Sequence, residues 1–131
     1  MEIHFKIIGV LLVLLALVHL VFPKRFNWVE ELAPLSVINR QLMYVHTFFI
    51  ALVVLLIGLL CLSAAGELAT TALGRKVCLG IGIFWLIRLY VQFGGYSPVL
   101  WKGKLFETTI HVLSAILWAY LSAVFLAAWY F

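Results

Sequence analysis

The chain has 131 residues, 66% hydrophobic and 11% charged, with a mean hydropathy of +1.20. A soluble domain of this size needs far more polar surface, and apolar runs of about 18 or more residues read as membrane spans. The formal charge of +4 does not point to nucleic acid, because most of the nine Lys and Arg flank the apolar runs and they form no basic stretch.

In chain order, the first span is predicted over residues 5–22 and is stopped by Pro23. No small-residue cleavage site follows it, so it reads as a retained helix rather than a signal peptide. Residues 23–36 form the longest loop. In it, Asn27 and Glu30 suggest a capped, short interfacial helix ending near Pro34, with Trp28, Val29 and Leu32 toward the lipid boundary.

Span two is predicted over 37–65, with Ser36 as N-cap and Gly66 as stop. A polar turn over 67–74 leads to span three, residues 75–94, broken by Gly94, Gly95 and Pro98. Span four covers 106–131 and ends in the aromatic trio Trp129, Tyr130 and Phe131, which suits a membrane interface. Cys61 and Cys78 match no metal or disulfide framework and read as core thiols.

Four spans with short connections imply an all-α membrane protein, an antiparallel up-down-up-down four-transmembrane-helix bundle forming one domain over residues 1–131. The lipid bilayer is its first partner. Ala115, Ala119, Ala123 and Ala127 recur every four residues, a small-residue stripe that suits close helix packing or a homodimer. The short format suits a bacterial inner (cytoplasmic) membrane. The first and third loops with their flanks hold Lys24, Arg25, Arg40, Lys102 and Lys104, against Lys6, Arg75 and Lys76 opposite, which places those two loops in the cytoplasm.

Within the apolar runs stand His19, His46, Arg88 and His111, joined by Gln92 and Glu107. Ionisable groups in hydrocarbon are expensive, so each is by default a candidate functional residue. At about 1.5 Å per residue, all lie within about 10 Å of the first- and third-loop side. Arg88 and Gln92 share a helix face with Trp85; Glu107 and His111 share one with Ser114 and Trp118.

Such a cluster has three chemical readings. In one, His46 and His111 are axial ligands of a b-type haem, with His19 as substitute and Arg88 or Arg40 on a propionate. In the second, His19, His46, His111 and Glu107 hold zinc or iron. In the third, Arg88, Gln92 and histidine bind a quinone or lipid headgroup. A bland alternative sets against these a structural Arg88–Glu107 ion pair in a non-catalytic accessory or scaffold subunit. No nucleophile triad or phosphate loop accompanies the cluster. The sequence-based expectation is a bound cofactor or polar ligand, with haem or metal as the favoured candidates, ahead of the accessory role.

Overall fold

The computed structural model describes all residues, 1–131, and every regular element is helical: α1 (Glu2–Val18), α2 (Phe22–Arg25), α3 (Trp28–Glu31), α4 (Val37–Ser63), α5 (Ala65–Thr70), α6 (Ala72–Gly94) and α7 (Leu105–Tyr130). Four stretches are long and apolar enough to cross a membrane: Glu2–Arg25, Val37–Ser63, Ala72–Gly94 and Leu105–Tyr130. These helices identify an integral membrane protein by length and composition. The chain divides into two compact units, Glu2–Ala65 and Gly66–Phe131. Each is a helical hairpin.

In the first hairpin, α1 packs on α4. The buried positions of α4 are Ala51, Val54, Gly58 and Cys61, spaced three and four apart, which keeps one narrow seam on one face. The helices cross at two glycines. A Cβ on Gly58 would lie 3.0 Å from the Gly9 carbonyl oxygen and 3.1 Å from Leu12 Cβ, and one on Gly9 would lie 2.8 Å from the Gly58 carbonyl oxygen. Hydrocarbon supplies no hydrophobic drive between helices, so backbone-to-backbone approach of this kind supplies the dispersion contact that joins them.

Pro23 does not end the first span, which runs on to Arg25. Having no N–H, proline cannot bond the carbonyl four residues back, which is that of His19. The chain tightens into a 3-10 turn over His19–Val21, the Phe22 N–H bonds the His19 carbonyl instead, and α2 restarts with Pro23 in its first turn. That position tolerates proline because its N–H would lack an intrahelical partner anyway.

The interfacial segment differs from its sequence reading. Asn27 stands at the N-cap of α3 but in the left-handed region, φ 53°, and its side chain makes no capping bond. Trp28 turns inward, 7% exposed, with its ring edge-on to Tyr44 at 5.3 Å, while Val29 is 80% exposed. Ser36 does cap α4, accepting from the Asn39 N–H at 3.4 Å.

In the second hairpin, α6 packs on α7 in opposite sense: Gly82 lies against Leu126, and the Arg75 guanidinium near the start of α6 donates to the carbonyls of Trp129 and Tyr130 at the end of α7. Residues 65–70, expected to be part of a stop and a polar turn, are helical. Thr71 breaks this helix from α6 and caps the latter, its hydroxyl accepting from the Gly74 N–H at 2.9 Å. The alanine stripe is not the packed face of α7. Ala119 and Ala123 are exposed, and the buried positions are Trp118, Leu121, Ser122, Val124, Phe125 and Ala128. Both cysteines are buried thiols.

Candidate functional site

The second hairpin gathers Arg88, Gln92 and His111 around one amide. Gln92 is buried on the last turn of α6, one turn after Arg88 and two after Trp85. Its Oε1 accepts from the Trp118 indole N–H at 3.1 Å and from Arg88 Nη1 at 3.3 Å. Its Nε2 meets His111 Nδ1 at 2.9 Å. Indole and guanidinium can only donate, so the atom facing them must be the amide oxygen. The NH2 therefore donates to His111, whose Nδ1 accepts. In the neutral ring the hydrogen then sits on Nε2.

Aromatic rings enclose these groups. Trp85 and Trp118 stack at 5.0 Å and 9°, one from each helix. Arg88 lies 5.0 Å from the Trp118 ring and 5.5 Å from that of Tyr96, within cation–π range on both. Trp101 stacks on His111 at 4.5 Å and 13°, with its carbonyl accepting from the Thr108 hydroxyl at the start of α7, and Phe93 meets the same imidazole edge-on at 5.6 Å. One polar atom is left over: the buried Trp85 Nε1 has no partner.

Arg88 is half-buried, and its one hydrogen bond goes to Gln92. Glu107 lies half-buried one turn before His111. A guanidinium has five N–H groups. Arg88 therefore keeps most of its donors for something outside the hairpin's own polar groups, and His111 Nε2–H adds another. Every uncommitted polar hydrogen here is a donor, and the net charge of the group is positive.

The first hairpin treats its two histidines differently. His19 and His46 each turn Nδ1 back onto their own helix, donating to the carbonyls of Leu15 and Leu42, both at 2.8 Å. Such a bond leaves the lone pair on Nε2. His46 is on the exposed face of α4, whereas His19 lines a cleft with Trp28, Tyr44 and Thr47. Arg40 donates to the Ala33 carbonyl at 3.3 Å and so braces the loop.

The four residues of the metal reading divide two and two between the hairpins, and within neither hairpin do three His, Cys, Asp or Glu side chains gather around a point that an ion would occupy. The haem reading meets a chemical obstacle at His111. With Nδ1 accepting from Gln92, Nε2 carries the hydrogen and has no lone pair to offer iron. Trp85 and Trp118 pack on each other. Trp101 is the contributor that the sequence reading missed, because it lies in a loop where helical phase says nothing. Its nearest signal was a tryptophan ten residues before His111 in an interfacial turn. Compared with known proteins, the chain matches no family model, no curated protein and no solved structure.

Proposed function

We propose that this is a small integral membrane protein that binds the anionic head of a lipid at Arg88, with His111 Nε2–H as a second donor. The carrying observation is a half-buried guanidinium in a membrane-spanning helix, braced by Gln92 and two aromatic rings, with most donors unused. Guanidinium matches phosphate in a two-pronged fork, and a charge placed this way in hydrocarbon calls for a counter-charge. Arg88 lies six residues before the end of α6, about 9 Å in depth, within reach of headgroup phosphates by extending its side chain. The excess of Lys and Arg on the first and third loops supports a cytoplasmic position for them in a bacterial inner membrane, the leaflet surface where anionic lipid concentrates.

The test is lipid retention. Protein in discs of mixed phosphatidylcholine and phosphatidylglycerol is released into native mass spectrometry, and bound lipids are counted. Wild type retains phosphatidylglycerol preferentially, and Arg88→Gln lowers that preference by about tenfold or more, as expected for a charge-assisted bond. An unchanged preference refutes the reading. An unchanged preference with reduced stability supports the second reading, a structural clasp in an accessory subunit, which is favoured by the three hydrogen bonds that satisfy Gln92 inside the hairpin. A Soret band after haem reconstitution would restore the cofactor reading.

A further inference from the structure

The first hairpin carries a cleft of about 180 Å³ beside Pro23, lined among others by His19, Trp28, Tyr44, Thr47, Leu20 and Phe48. We infer that it is a binding site for the ring of a phenol- or quinol-type amphiphile, held by a hydrogen bond from the ligand hydroxyl to His19 Nε2.

Four observations converge on that occupant. The first is acceptor chemistry. His19 Nδ1–H is committed to the Leu15 carbonyl, so Nε2 presents a lone pair and asks for a donor, which a hydroxyl supplies and an ester or phosphate diester does not. The second is unused polarity. The hydroxyls of Tyr44 and Thr47 make no hydrogen bond in the protein, although both residues line the cleft. A helical threonine ordinarily bonds back to its own helix, as Thr70 and Thr109 do here, so Thr47 is kept open. The third is size and wall. An apolar cavity of about 150 Å³ accepts benzene, so this one takes a single six-membered ring and no more. The edge-on Trp28–Tyr44 pair and the Phe48 ring give it aromatic walls. The fourth is the exit. Leu20 and Phe48 are 68% and 58% exposed, so the rim is apolar and open, and an alkyl tail leaves along it.

The 3-10 turn is what sets His19 at the site. Pro23 forces His19–Val21 into a 3-10 turn, and His19 sits at the start of that turn beside the cleft. This site shares no residue with the Arg88 group and does not rest on its lipid reading.

The experiment uses the whole protein in phosphatidylcholine discs with 15N-labelled indoles, titrated with 4-octylphenol or with octylbenzene. Trp28 is the one tryptophan of the first hairpin, and Trp28→Phe assigns its signal. Octylphenol shifts the Trp28 indole resonance saturably, at about tenfold lower concentration than octylbenzene. His19→Phe erases that difference while the Trp85 and Trp118 signals keep their positions. Thr47→Val, which preserves shape, is the second variant and weakens octylphenol by several-fold. Equal potency of the two probes, a shift that does not saturate, or full octylphenol preference in both variants overturns the proposal. Failure here leaves the phosphatidylglycerol preference of wild type intact, so the two readings fall separately.

Discussion

Gln92→Leu is the sharpest perturbation of the second hairpin. Leucine fills nearly the same volume, so the change removes three hydrogen bonds without opening a cavity. The Trp118 indole N–H suffers most, because Trp118 is 6% exposed and Gln92 is its partner. An orphaned buried donor costs about 1–3 kcal/mol in water-soluble proteins, while measured side-chain hydrogen bonds in membranes average about 0.6 and reach about 1.7. The His111 bond, at 2.9 Å and half-buried, adds about 0.6 kcal/mol on that scale. The Arg88 bond is long, 3.3 Å, and its guanidinium can reorient toward the interface, so it adds little. The expected loss is about 1–2 kcal/mol, read from SDS-induced unfolding in mixed micelles. A double-mutant cycle with Trp118→Phe, which keeps the ring and deletes the N–H, should return a coupling of about 1 kcal/mol. A Gln92→Leu protein as stable as wild type, or a coupling near zero, would mean that the amide is not the centre of this group.

Gly58→Ala should destabilise the first hairpin by about 1–3 kcal/mol, because the new methyl meets Gly9 and Val13 backbone that cannot turn aside; Gly80→Ala, with nothing within 4 Å, should instead gain about 0.5–1 kcal/mol in the same unfolding assay. Trp85→Phe should cost less than Trp118→Phe although Trp85 is the more buried, since it removes an indole N–H that has no partner rather than one that donates to Gln92. Asn27→Val should lose about 1–2 kcal/mol and Asn27→Gly almost nothing, because a β-branched residue resists φ 53°; thermal unfolding of the two variants side by side decides it.

The faces of the site were legible where a helix carries the residues. Trp85, Arg88 and Gln92, and likewise His111 and Trp118, fall on common faces by the 3.6-residue period alone, and the four apolar stretches followed from composition. Partnering was harder. An imidazole on a helix has a carbonyl of its own backbone within reach, so depth and phase could not say that His19 and His46 would bond Leu15 and Leu42. Whether a proline stops a span depends on what the preceding turn does with the carbonyl it leaves unbonded, and here a 3-10 turn absorbs it. Residues 65–70 hold glycine, glutamate and threonine, which read as a turn, yet Ala65, Leu68 and Ala69 are strong helix formers and α5 forms. Trp101 and Asn27 sit in connections, where no periodicity exists to place them.

The orientation of the Gln92 amide also bears on protons. With His111 Nδ1 taken up by the amide NH2 and Arg88 able only to donate, these two side chains present hydrogens and no free lone pair. A water molecule arriving there must point its oxygen inward and its hydrogens away. Proton hopping along water needs an acceptor at each link, and these two side chains supply none, while the guanidinium charge disfavours a cation beside them.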